Sequence, residues 1–99
     1  KAKIGGRYKF ALIKDGEDYI IFYIAGAVTN KSSWVPGMIK GRLRSTVFEN
    51  HYDLVWYDSM FEPIETDAHA DIIDDIILNL QFPIYESSFR LYKIRKASY

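Results

Sequence analysis

Apolar and polar residues alternate with a period of two along much of the chain, which is the pattern of β-strands with one buried face. In residues 7–14, for example, Tyr8 and Leu12 fall on one side and Lys9 falls on the other. Residues 19–25 are apolar on both sides, which predicts the most buried strand of the sheet. Similar patterns predict further strands at residues 38–48, 51–57, 78–82 and 89–96.

Turn-forming residues separate these runs. Asp15-Gly16-Glu17-Asp18 stands between two runs of apolar, β-branched and aromatic residues, and it predicts a β-hairpin. Other turns or loops are predicted at residues 29–33, 36–37, 49–50, 58–63 and 83–88. Strands joined by connections this short tend to pair as neighbours, so we expect a meander.

Residues 67–80 fit two kinds of secondary structure. As a helix, they would carry a stripe of isoleucine and leucine mostly opposite aspartates, with Thr66 as the N-cap. As strands, they would use the alternation in residues 67–71 and 78–82, joined by a turn at Asp74-Asp75 without the usual glycine. The isoleucines favour the strands, because a β-branched side chain loses rotamer freedom in a helix.

These elements predict one all-β domain that spans residues 1–99. It should be an antiparallel meander of about seven strands, curved into a barrel or a half-barrel. The alternative is an α+β fold, in which one helix at about residues 67–80 packs on an antiparallel sheet. A chain of 99 residues, 48% of them hydrophobic, has the size and composition of a single globular domain.

The composition narrows the classes of function. The chain has no cysteine, which excludes a disulfide framework, a cysteine-ligated zinc site and a thiol nucleophile. No apolar run approaches the ~20 residues of a membrane-spanning helix, so we expect no membrane span. The sequence has no G-x-S-x-G, P-loop, G-x-G-x-x-G or H-E-x-x-H motif. We therefore expect neither an enzyme nor a bound cofactor.

The net charge is zero, but the charges are segregated along the chain. Between Ser45 and Phe89 there are ten Asp or Glu residues and no Lys or Arg. Lys40, Arg42 and Arg44 alternate within one predicted strand and should form a basic row on its surface. The balanced total argues against a nucleic-acid partner. The segregation favours acidic–basic contacts, either across strands or between two copies of the chain.

One group of polar residues has the types that bind a divalent metal. Asp67, His69 and Asp71 share one face if this segment is a strand, with neighbours about 7 Å apart. His51 and Asp53 repeat the pattern on the preceding strand. Neighbours at this spacing along one strand are too far apart to share an ion unaided. We therefore expect a solvated acidic face and no metal site.

The aromatic residues, eight Tyr, six Phe and two Trp, suggest a second kind of site. Such rings ordinarily pack in a core. Rings gathered at one end of the sheet would also suit a small hydrophobic ligand or a carbohydrate. The candidates for such a cluster are Trp34, Trp56, Tyr52, Tyr57 and Phe61.

Two short segments, Gly6-Arg7-Tyr8 and residues 89–93 (Phe-Arg-Leu-Tyr-Lys), resemble the two ends of small lipocalin-like barrels. In that family a Gly-x-Trp opens the first strand, and a basic residue of the last strand packs over the ring. The resemblance implies that Tyr8 replaces the Trp and that Arg90 is its partner. It also implies a curved sheet with a site for an apolar ligand, although seven strands fall short of the family's usual number.

The function expected from these observations is that of a non-enzymatic binding or accessory domain with a small apolar or carbohydrate ligand. The alternative is a structural domain that acts by self-association or by docking to a partner protein. Either the segregated charges or the edge strands of an open sheet would serve that role. The favoured compartment is an extracytoplasmic one.

Overall fold

A computed structural model describes residues 8–27, 31–64 and 67–94. Seven strands form one antiparallel sheet in the order of the chain, so each strand pairs with the next. The strands are β1 (Lys9–Asp15), β2 (Asp18–Ala25), β3 (Ile39–Ser45), β4 (His51–Trp56), β5 (His69–Ile73), β6 (Ile77–Phe82) and β7 (Ser87–Tyr92). Two short 3₁₀ turns lie at Lys31–Ser33 and Pro83–Tyr85.

The sheet is an all-β meander curved into a half-barrel, which confirms the predicted fold class. Some sequence predictions lie outside the described residues, namely those for Gly6, Arg7 and Thr66, the first two residues of the predicted loop at 29–33, and the last two residues of the predicted strand at 89–96. No helix within the described ranges has the length and hydropathy needed to cross a membrane.

Residues 67–80 form two strands, so the α+β alternative is wrong. β5 pairs with β6 over five residue pairs. Asp74 and Asp75 connect them with φ angles of 54° and 59°, in the left-handed region that a type I′ turn requires at both central residues. Aspartate enters this region more readily than most residues, because its short side chain can bond to the local backbone. The hairpin therefore forms without glycine.

One face of the sheet, the inner face, carries the core. The strand register aligns apolar side chains across neighbouring strands, with Leu43 opposite Leu54 and Ala70 opposite Leu80. Gly41 also lies on this face, where a Cβ atom would be 2.5 Å from the Val55 carbonyl oxygen. The buried cluster consists of Ile21, Leu43, Leu54, Ala68, Ala70, Leu78, Leu80 and Phe82.

β2 is apolar on both faces, but it is not the most buried strand, which corrects the sequence prediction. It lies beside the edge strand β1. On its outer face, Ile20 and Phe22 are half-buried and Ile24 is exposed. β6 is buried more deeply, with every second residue inaccessible to solvent. The described elements form a single sheet, so no second layer covers the outer face of β2.

Two loops close one end of the half-barrel, which we refer to as the closed end. Trp34 precedes β3 and is buried, and its Nε1 donates a hydrogen bond to the Ser59 carbonyl oxygen at 3.1 Å. The Trp34 ring also lies against the rings of Tyr23 and Phe61, with centroid separations of 5.5 and 4.7 Å. The loop before β3 and the β4–β5 connection are thereby held together over the sheet.

Candidate binding groove

β1 and β7 are the two edges of the sheet, and a groove lies between them on the open side of the half-barrel. Within the part of the chain that the structure describes, no strand pairs with the outer edge of either one. This open-side groove has a volume of about 690 Å³. Small-molecule sites commonly occupy about 300–1,000 Å³, so the groove has the size of a ligand site.

Apolar and aromatic side chains form the floor of the open-side groove. Leu78 belongs to the buried core cluster, and Leu12 and Leu91 pack against that cluster. The rings of Tyr8 and Phe10 are stacked with their centroids 5.5 Å apart. The groove is also lined by Tyr19, Ile72, Ile76 and Ile94, and by Ile77 and Tyr92, which alternate with the inward-facing Leu78 and Leu91 and so belong to the other face of the sheet. The groove is therefore the place where the apolar inner face reaches solvent.

The charges at the rim of the groove are mostly positive. Lys9, Arg90 and Lys93 line it, and Asp75 is the one carboxylate among the lining residues. Lys93 Nζ lies 3.6 Å from Asp75 Oδ2, but both side chains are exposed, so this ion pair contributes little. Three cations and one anion leave the rim with an excess of two positive charges.

The five aromatic residues predicted as a ligand cluster do not form one open site. Trp34 and Phe61 lie together at the closed end, and Trp56 lies near them. Tyr52 is four residues before Trp56 in β4, about 13 Å away by strand rise. Its ring instead lies against that of Tyr19, with centroids 5.8 Å apart. The cluster is thus divided between the two ends of β4.

Lys40 lies within the aromatic group at the closed end. Its Nζ is 4.5 Å from the ring centroid of Trp34 and 5.3 Å from that of Trp56, in cation–π geometry. Lys40 is only 8% exposed. Burial lowers its pKa, and the nearby Asp58 carboxylate opposes that shift. The half-buried Tyr57 donates its backbone N–H to the Lys40 carbonyl oxygen at 2.9 Å. These rings therefore surround an internal cation.

Lys40 is not part of a basic row on the surface, which corrects the sequence prediction. The register between β2 and β3 shifts at this point, so Lys40 is an extra residue in β3. The bulge separates its side chain from the outer face that carries Arg42 and Arg44. Arg44 lies directly opposite Asp53 of β4, so basic and acidic residues do meet across these two strands.

The polar residues of β4 and β5 form cross-strand pairs on the outer face. His51 lies opposite Asp71, and Asp53 lies opposite His69. Nδ1 of His51 is hydrogen-bonded to Oδ1 of Asp71. Asp67 is exposed and precedes β5. Across residues 8–27, 31–64 and 67–94, no three His, Asp or Glu side chains are arranged to hold a metal ion.

Comparison with known protein families, curated proteins and solved structures returns no match. The resemblance to lipocalin-like barrels therefore stays a prediction. Tyr8, which would replace the family's Trp, is stacked on Phe10, while Arg90 lines the same groove. The cation–π pairs found among the described residues involve Lys14 and Lys40.

The sequence does not predict the open-side groove, although part of its floor follows from the alternation of apolar residues. The alternation in residues 7–14 predicts that Tyr8, Phe10 and Leu12 share one side of the first strand. Whether the first strand reaches the last depends on the twist and stagger accumulated over all seven strands. No local pattern of residues reports that quantity.

Proposed function

We propose that this protein is a non-enzymatic binding domain that holds a small apolar ligand in the open-side groove. The observation that supports this proposal is the groove itself, whose floor is continuous with the buried core and yet open to solvent. An apolar guest would remove this surface from water, with a gain of about 25 cal/mol for each Å² that it covers.

A carbohydrate is a less suitable guest than an apolar molecule. Carbohydrate binding requires an accessible ring face, and Trp34 is only 5% exposed. The two rings nearest to it at the closed end, those of Tyr23 and Phe61, pack against it. The groove, by contrast, combines the stacked rings of Tyr8 and Phe10 with aliphatic side chains.

The proposal is tested with a neutral apolar dye, N-phenyl-1-naphthylamine, whose emission rises in apolar surroundings. We expect the dye to bind the wild-type protein saturably. Leu12→Trp places a larger ring in the floor of the groove and should weaken binding. Ile13→Trp is the matched control, because Ile13 is the next residue of β1 and is 52% exposed on the outer face.

The two variants separate groove binding from unspecific adsorption. Weaker binding by Leu12→Trp, with unchanged binding by Ile13→Trp and cooperative melting of both, supports the proposal. Equal binding by both variants would place the dye outside the groove and contradict it. Failure of the dye to bind the wild-type protein at all would contradict it as well.

Docking to a partner protein is a second candidate, and a different observation favours it. Five of the six residues of β7 are exposed. Phe89 and Tyr92 are 53% and 62% exposed, and the neighbouring Ile94 is 71% exposed. Phe89 and Tyr92 lie on opposite faces of β7, so exposed apolar side chains flank this edge of the sheet on both faces, and exposed apolar surface can mark an interaction site.

A further inference from the structure

The edge of β7 lacks most of the features by which proteins protect edge strands. Such strands usually carry several charges or a proline, or they are covered by another element. In the Ser-Ser-Phe-Arg-Leu-Tyr sequence of β7, Arg90 is the only charged residue and there is no proline. Exposed Phe89 and Tyr92 lie on either side of it.

The backbone groups of β7 that face away from the sheet can be assigned from its pairing. The Lys93 N–H donates to the Ile76 carbonyl oxygen at 2.8 Å, so the backbone of Lys93 faces β6. Successive residues of an antiparallel strand turn their N–H and C=O groups to opposite sides. The free edge, beside the open-side groove, is therefore the side to which the backbone N–H and C=O groups of Ser88, Arg90 and Tyr92 point.

The charges at this edge argue against a second copy of the chain as the occupant. Among the described residues, both free edges of the sheet carry a net positive charge, because Lys9 and Lys14 outnumber Asp15 on β1 and Arg90 is the one charged residue of β7. Lys93 follows β7 directly. Pairing β7 with β7, or β7 with β1, would set like charges against each other, which destabilises a strand pair. An acidic strand would bring opposite charges together instead.

We propose that the free edge of β7 binds an extended acidic segment of another protein, which adds as an eighth strand on the open side of the half-barrel. Its backbone would bond to the outward N–H and C=O groups of β7, while every second side chain, apolar, would enter the groove. Its acidic side chains would lie on the opposite face, which is the face of β7 that carries Arg90. The inference rests on the proposed function only in that the groove must accept apolar groups.

Fluorescence anisotropy with two labelled peptides tests the inference. One peptide alternates Glu with Val over about seven residues, long enough to pair with a strand of this length. The other has Lys in place of each Glu. We expect the acidic peptide to bind the wild-type protein at least about tenfold more tightly than the basic peptide, with a difference that shrinks as salt is added.

A pair of variants at Ser88 tests the strand pairing. Ser88→Pro removes an outward N–H without removing a bond to β6, and proline is tolerated at such edge positions. Ser88→Ala keeps the N–H and is the matched control. We expect Ser88→Pro to bind the acidic peptide about tenfold or more weakly, through the lost hydrogen bond and the clash of the ring, and Ser88→Ala to bind it normally. If Ser88→Pro does not fold, the same peptide with N-methylated amides replaces it.

Each contrary result overturns the inference in a recognisable way. Equal binding of both peptides would show that charge does not select the partner. Undiminished binding by Ser88→Pro, or by the N-methylated peptide, would exclude strand pairing. A dimer that Ser88→Pro dissociates would identify a second copy as the occupant. Binding of the neutral dye without binding of the acidic peptide would refute this inference and leave the small-ligand proposal standing.

Discussion

Lys40 is a buried cation that is held mainly by aromatic rings. The Asp58 carboxylate acts on it electrostatically, but Oδ1 of Asp58 already accepts hydrogen bonds from the backbone N–H groups of Met60 and Glu62. The two Trp rings replace part of the lost hydration of the ammonium group, since a desolvated cation–π contact is worth about 2 kcal/mol. Lys40 thereby joins the core to both loops of the closed end.

The lowered pKa of Lys40 predicts a specific dependence of stability on pH. Between its pKa in the folded protein and its ordinary value of 10.5, the folded state holds fewer protons than the unfolded state. The free energy of unfolding therefore rises with pH in this window. Above about pH 10, the raised pKa of Tyr52, which is caused first by burial, acts in the opposite direction.

Lys40→Met should remove the increase in the free energy of unfolding with pH that Lys40 causes. In urea melts, we expect the stability of this variant relative to wild type to be greatest at pH values below the folded-state pKa of Lys40 and to decline as the pH rises towards the ordinary lysine value of 10.5. Lys14→Met is the control, because it removes an exposed amine that lies 5.3 Å from the Tyr19 ring. A difference between wild type and Lys40→Met that stays constant over this range would contradict the prediction.

At the level of elements, two hairpins with short connections use different turn chemistry. Asp15 and Asp18 are paired at the end of the β1–β2 hairpin, and Gly16 between them has a φ of 66°. Glycine at the first central position is typical of a type II′ turn. The β5–β6 turn places aspartates at both left-handed positions instead. The β5–β6 turn is therefore the one in which a substitution to glycine should stabilise the protein.

Asp75→Gly should stabilise the protein by about 0.5–1 kcal/mol, because glycine adopts a positive φ without a steric penalty. The weak ion pair with Lys93 is lost in this variant, so Asp75→Asn, which also removes the charge, is the matched control. For a domain of this size, the gain corresponds to about 2–8 °C in Tm. A melting temperature of Asp75→Gly at or below that of Asp75→Asn would contradict the expectation.

The number and order of the strands can be predicted from the sequence. The residues at which strands end, and the direction of the Lys40 side chain, cannot. The alternation in residues 67–71 and 78–82 prevails over the helical stripe, because each half of that segment finds an antiparallel neighbour. β3 ends earlier than its apolar pattern predicts, since Thr46 Oγ1 accepts the Phe48 N–H and leads the chain into a turn. The burial of Lys40 depends on a bulge, which hydrophobic alternation does not reveal.

For the whole molecule, the basic character of both free edges predicts how salt affects self-association. Like charges should keep the edges apart at low ionic strength, and salt should screen them. We therefore expect a monomer at low salt, and any association through the edges should appear only as salt is added. Sedimentation velocity over a salt series measures this. A dimer at low salt that dissociates at high salt would instead indicate contact between the acidic and basic parts of two copies.

The strictly sequential strand order has a consequence for how the chain folds. Each strand pairs with the strand that precedes it, so every hairpin closes only a short stretch of chain, and loop closure costs little entropy when the stretch is short. The contact with the greatest sequence separation, closure of β1 onto β7, is absent from the described sheet. Topologies dominated by local pairings fold faster than those that need distant strands to meet. The sheet can therefore grow strand by strand as the chain emerges during synthesis, without waiting for its last residues.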